Sequence, residues 1–377
     1  MIYLDHAATT AVSADVFAAM EPYLKDSYFN ASAHYQAAYE VRKAVEHARK
    51  QTADLIGALP EEIYFTSGGT ESDNWAIRSA VYGRKNAHII TSCIEHPAVL
   101  KTCRQLEKEG VAVTYLEVDH SGLVSPAALK QALRDTTVLV SIMAANNVIG
   151  TIEPIAQLCE ITHEAGALFH TDAVAAVSHM PVDVREWNVD LLSAGGHKFH
   201  APKGIGFLYI RRGCELEPFQ YGAAQENGMR PGTLNVPGII GLGKASECAK
   251  RSLEQNERET ARLRDHLAQR VLQEIPGAVW NGNESHRLSC SLNLSFPHVN
   301  GSALLEKLDE AGICASSGIA GFTKKPGISY VLSEIGLPDE LAAGSVRITI
   351  SEENTMEEMD RTAEVLKAAV SALHGRQ

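Results

Sequence analysis

The sequence predicts an α/β fold: a large unit on a mostly parallel sheet, followed by a small α+β unit. Three observations predict it. Short β-rich runs alternate with helix-length segments through the middle of the chain. Several of those runs are continuously apolar, as strands covered on both faces are. From about residue 237 the alternation stops and a long charged helical pattern takes over.

The strand runs are HIITSC (88–93), VAVTYLEV (111–118), TVLVSIMAA (137–145), ALFHTDA (167–173), VDLLSA (189–194) and GIGFLYIRR (204–212). Helices between them carry start signals. Ser125-Pro126 places a cap residue and then a proline in the first turn, and Glu153-Pro154 does something similar. Repeated strand–helix–strand units of this size imply right-handed parallel crossovers. The segment 243–275 reads as a long amphipathic helix with a solvated charged face, suited to bridging two units. Beyond it, SCSLNLSF (289–296), GSALLEKLDEAG (301–312), SVRITIS (345–351) and a helix over about 355–374 predict the small α+β unit.

At 377 residues the chain exceeds a usual single core, so two units are expected. A formal net charge of −12 argues against nucleic acid or an anionic membrane as partner. The seven cysteines are scattered and form no CxxC pair, which reads as reduced thiols and neither a disulfide framework nor a metal site. The N-terminus has no secretory pattern and no run of about 18 apolar residues occurs, so a cytoplasmic protein is expected.

In open parallel sheets ligands bind at the carboxyl ends of the strands. Chemistry-bearing residues cluster there. Gly69, Thr70, Glu71 and Ser72 follow FTSG; Glu95 and His96 follow HIITSC; Asn146 and Asn147 follow TVLVSIMAA. Asp172 ends ALFHTDA, and His197 and Lys198 follow VDLLSAGG. Taken singly, each has a plainer reading: a glycine turn capped by threonine, a cap carboxylate, a loop histidine. Together they supply a phosphate site at a helix N-terminus, a carboxylate, a ring that can stack and a lysine, which is what pyridoxal phosphate requires. Lys198 would hold the cofactor as a Schiff base, its amine freed by desolvation. Asp172 would pair with the pyridine nitrogen, and His96 would stack on the ring and shuttle protons. Gly69, Thr70 and His197 would hold the phosphate.

The ordered segments YLDHAATT, FNASAHY, FTSGGTESDN, EHPAVL, NNVIGT, HTDA, GGHKFHAPKGIG, GMRPGT and VRITIS span nearly the whole chain. In them the sequence resembles the NifS-like cysteine desulfurases, class V relatives among the fold-type I pyridoxal-phosphate enzymes. The resemblance implies a homodimer with active sites at the subunit interface. It also implies a large cofactor-binding domain of residues 15–255 and a small domain formed by 1–14 and 256–377. By position, Lys198 matches the Schiff-base lysine, Asp172 the pyridine-nitrogen partner and His96 the stacking histidine. Thr70 and His197 match phosphate ligands, and Thr233 the threonine given to the partner subunit's phosphate. Asn147 matches an asparagine near the cofactor's ring oxygen and the substrate. Arg347 matches the arginine that grips the substrate α-carboxylate, a role suited to its fork of donors.

The departures matter as much. The family's loop reads SSGSAC; residues 316–321 read SSGIAG, so Gly321 stands where the persulfide-forming cysteine is expected. Ala175, Gly195 and Val148 replace the family's glutamine, serine and glutamate around the cofactor. The expected function is therefore cleavage of the C–S or C–Se bond of a cysteine-like amino acid by lyase-type elimination. The alternatives are a conventional cysteine desulfurase with a relocated thiol (Cys314 or Cys93), donating to a sulfur-acceptor protein; another pyridoxal-phosphate reaction such as transamination or decarboxylation; or a non-catalytic partner subunit. Ser316 and Ser317 are candidates for substrate contact, and Lys324 and Lys325 for an anionic substrate group.

Overall fold

The computed structural model describes residues 1–318 and 327–374. Seven strands form the main sheet: β2 (Ile63–Thr66), β3 (His88–Ser92), β4 (Ala112–Leu116), β5 (Thr137–Ser141), β6 (Leu168–Asp172), β7 (Leu191–Gly195) and β8 (Gly206–Ile210), after a short β1 (Ile2–Tyr3). Their order is β2-β8-β7-β6-β5-β3-β4. The pairs β3–β4, β3–β5, β5–β6 and β6–β7 are parallel; β8 runs antiparallel to both its neighbours. The sheet is thus mostly parallel, as expected, with one reversed strand.

Why the strands read as continuously apolar is now plain. Consecutive side chains point to opposite faces, and both faces are covered. Ile90, Val140, Leu192 and Phe207 enter one core. Their neighbours Ile89, Leu139, Leu191 and Leu208 enter another, with Trp75. A polar substitution on either face would bury an unpaired group.

The second sheet has the order β12-β10-β9 (Ser345–Thr349, Ser291–Ser295, Val279–Trp280), all antiparallel. β1 pairs in parallel with β11 (Ile313–Cys314), which brings the N-terminus to this side of the molecule. The long helix starts earlier than the charge pattern suggested, running Val236–Glu274. The Asn235 side chain accepts from the Gly238 amide at 3.2 Å and caps it, with Pro237 in the first turn. Its N-terminal half puts Val236, Ile239, Leu242 and Ala245 into the main core. Its C-terminal half puts Leu263, Leu267 and Val271 into the core of the second sheet, with Leu4. Among the described residues no helix is long and apolar enough to cross a membrane.

Candidate active site

The parallel strands end on one side of the sheet, and a cavity of about 270 Å³ opens there. Gly69, Thr70, His96 and Asn147 line it, and so do Asp172, His197 and Lys198. Seven residues from five separate loops, picked from sequence as strand-end neighbours, are therefore in one place.

The turn before helix Gly69–Val81 passes very close to β8. A Cβ on Gly206 would stand 2.7 Å from Gly68 Cα and 2.4 Å from Ala194 O, so only glycine permits the approach. Gly68 itself has φ of 144°, which turns the chain into the helix. Glu71 then accepts from the Ser67 amide (2.8 Å) and from Arg230 (2.8 and 3.0 Å), fixing the turn beside the cavity that Gly69 and Thr70 line. A helix N-terminus of this kind is suited to an anion.

His96 caps helix Pro97–Lys108: its Nδ1 accepts from the Ala98 amide at 3.2 Å. The neutral ring therefore carries its proton on Nε2. Burial lowers its pKa, with Lys198 adding to the effect and Asp172 opposing it. Asp172 is buried and its Oδ1 accepts from the Val174 amide at 2.9 Å. Burial pushes its carboxyl up, while His96, that amide and Lys198 pull it back.

Lys198 follows β7 in a short turn, Gly196–Lys198. Its Nζ donates to Ala7 O (2.5 Å) and Ala8 O (2.9 Å), so the N-terminal segment closes over it. Burial first, then Arg347, lowers the amine to about 8, against the opposing pull of Asp172 and Asp5. His197 accompanies it, its Nδ1 3.2 Å from Thr9 Oγ1 and its ring lowered to about 4 by burial and by Lys198 and Lys203.

Arg347, on β12, reaches the site's edge from the second sheet. It donates from Nη1 to Asn147 O (3.2 Å) and from Nη2 to Asp5 Oδ1 (2.8 Å). Among the described residues its buried Nε has no partner, and neither does Asn147 Oδ1. Asn146, by contrast, is spent on structure, accepting from the Val148 and Ile149 amides and donating to Ile94 O. Thr233 is exposed and not on the cavity wall.

The departures line the same region. Ala175 is on the wall, and Val148 is buried with its Cγ1 2.9 Å from where a Gly318 Cβ would stand. Gly195 packs against the turn that opens helix Gly69–Val81, a Cβ there meeting the Gly69 nitrogen at 3.4 Å. Gly321, Lys324 and Lys325 lie outside the described residues, whereas Ser316 pairs with Arg347 across an antiparallel bridge. Neither Cys93 nor Cys314 is on the cavity wall; Cys290 is. Sequence reasoning missed it, along with Asp73 and Asp5. Asp5 and Asp73 stand within the segments YLDHAATT and FTSGGTESDN, which was their one signal, whereas Cys290 had none.

These residues fit pyridoxal phosphate. A helix N-terminus for a phosphate, a desolvated amine, a buried carboxylate, and orphaned polar atoms on Asn147 and Asp73 are grouped around one cavity. Fold and site together define a pyridoxal-phosphate-dependent enzyme of the mostly parallel α/β type. The aminotransferase class-V family model matches residues 2–362, and the chain belongs to that family. It is 47% identical over 374 residues to the cysteine desulfurase IscS of Methanosarcina thermophila, covering 99% of this chain and 92% of that one. It is 46% identical to the cysteine desulfurase IscS of Dictyoglomus turgidum, covering 99% and 95%. Among solved structures, a NifS-like protein superposes with a TM-score of 0.93 at 35% identity, covering 98% of this chain and 99% of that one. SspA in complex with cysteine superposes at 0.84 with 36% identity, covering 94% and 100%. The chain is thus an enzyme of the cysteine desulfurase group, and its cofactor is pyridoxal phosphate.

Proposed function

We propose that this enzyme cleaves the C–S bond of L-cysteine or a close analogue, yielding alanine and passing the sulfur to a thiol. The carrying observation is the placement of Lys198, Asp172, His96 and Arg347 around one cavity, in a chain whose relatives are named cysteine desulfurases. Bound pyridoxal phosphate supplies an electron sink for the substrate's α-carbon. The protein does the rest. Gly69, Thr70 and His197 hold the phosphate, and Asp172 holds a proton at the pyridine nitrogen. His96 covers the ring, Lys198 links the cofactor and moves the α-proton, and Asn147 orients the ring oxygen. Arg347 exchanges Asp5 for the substrate carboxylate. Thr233 serves the phosphate of a partner subunit in a homodimer. Residues 15–255 form the cofactor domain, with 1–14 and 256–377 as the small domain, in a cytoplasmic protein.

The receiving thiol is where this sequence departs from the family pattern it resembles. Gly321 has no side chain, and burial pushes the Cys290 thiol up to about 12, which disfavours the reactive thiolate. We place the receiving thiol on an acceptor, protein or small molecule: L-cysteine plus a thiol gives L-alanine plus a persulfide of that thiol. Gly321 favours a second reading, release by elimination, in which cysteine and water give pyruvate, ammonia and sulfide. Product analysis separates them. With cysteine and an added dithiol, alanine forms at a rate that rises with the dithiol, and no persulfide accumulates on the enzyme. Pyruvate and ammonia in equal amounts, independent of the dithiol, establish elimination instead.

A further inference from the structure

Asp73 lies in the second turn of helix Gly69–Val81, is 1% exposed, and faces the cofactor cavity. Neither of its carboxylate oxygens has a hydrogen-bond partner among the described residues. A carboxylate oxygen of Asp73, one of Asp172 and a ring nitrogen of His96 all lie within 4.8 Å of one another. Two buried carboxyl groups this close do not both ionise. Which of them keeps the proton is decided by what each one faces.

Asp172 has the Val174 amide on Oδ1, and His96 and Lys198 on its side. Asp73 has no backbone amide on either oxygen among the described residues. Its nearest basic group, His170, stands with Nε2 at 3.7 Å but is fully buried and held neutral, its ring lowered to about 3 by burial. Both ring nitrogens of His170 are already engaged, with Ser141 Oγ at 2.8 Å and Ser193 Oγ at 2.9 Å. The Ser193 hydroxyl, itself engaged with His170, favours the ionised form of Asp73 but ranks behind burial and Asp172. From the next loop comes Glu95, a further buried carboxyl and no cation, occupied with Ser92 Oγ (2.7 Å) and the Met143 amide (2.9 Å). Burial and Asp172 therefore both drive Asp73 toward its neutral form.

We infer that Asp73 is a positioning residue: a protonated carboxylic acid whose O–H points at Asp172, so that the pair presents one negative charge, correctly aimed, to the cofactor's pyridine nitrogen. The inference rests on the assignment of Asp172 above. It explains why a helix that anchors the phosphate also carries a buried acid that faces a second acid and no cation able to hold its charge. The acid is half of a two-carboxyl unit, with the proton acting as the spacer between like charges. The donor must be neutral and must reach Asp172, so asparagine can replace it and leucine of similar volume cannot.

The test uses the purified, cofactor-loaded enzyme and its Asp73→Asn and Asp73→Leu variants. In the infrared spectrum, a protonated carboxylic acid gives a carbonyl stretch apart from the bands of ionised carboxylates. The native-minus-Asp73→Asn difference at pH 8 is expected to show one such band, moved by isotopic labelling of aspartate carboxyl carbons. A difference spectrum showing only lost carboxylate bands overturns the inference. Pyridoxal-phosphate affinity, read by visible absorbance, is expected to fall at least about tenfold in Asp73→Leu and to be restored in Asp73→Asn. Equal loss in both variants also overturns it. The infrared band is read whether or not the colour is present, so failure of the cofactor assignment shows as an uncoloured native protein and is told apart from failure of the inference.

Discussion

Replacing Lys198 by alanine is expected to abolish the covalent hold on pyridoxal phosphate and to lower C–S cleavage by about 10²–10⁴-fold, the range for losing a positioned proton-transfer group. The amine is built for this task. It is drawn out of solvent, tied to the Ala7 and Ala8 carbonyls, and lowered to about 8. An ordinary lysine near 10.4 is uncharged in only about one copy in 2,500 at pH 7, whereas an amine near 8 is uncharged in about one in ten. The uncharged form is the nucleophile, so the sign is fixed. The rate at which cofactor-free enzyme regains its colour rises with pH through about 8 and levels off above. Removing the side chain leaves two backbone carbonyls without their donor, at about 1–3 kcal/mol, too little to explain a loss of this size by unfolding. Visible absorbance and turnover of the same sample check both statements.

Asp172→Ala is expected to lower kcat by about 10²–10³-fold while leaving the phosphate hold in place, since it removes a preorganised charge and leaves the helix N-terminus intact. The carboxylate is buried and fixed by the Val174 amide, so its negative charge is felt in a low-dielectric setting where a surface charge would be screened. With Asp172 as the proposed partner of the pyridine nitrogen, its loss is expected to let that nitrogen lose its proton. Two readouts follow together: the absorbance of the bound cofactor shifts, and kcat falls more than KM rises. A variant with native absorbance and kcat within a factor of three would remove Asp172 from the account.

The sequence made the sheet legible because its strands are covered on both faces and so lack alternation; Ile89 and Ile90 are apolar for opposite neighbours. Strand direction was not legible. GFLYI reads the same in either sense, and β8 runs antiparallel because its short connection from β7 leaves no length for a crossover. The start of the long helix was written in Asn235 and Pro237, but its charged segment drew attention further along. At the site, residues at strand ends converged because the sheet itself gathers them. Asp5, Asp73 and Cys290 stayed hidden because they arrive from the N-terminus, a helix turn and the second sheet, and only tertiary packing makes them neighbours.

The central claim is that Lys198, and no other amine, carries the cofactor. Borohydride reduction of the coloured enzyme, digestion and mass spectrometry test it directly. The account predicts a pyridoxyl mass on the peptide containing Lys198 and on no other. The same mass on Lys203 or another lysine, or no modified peptide from a coloured sample, would contradict it.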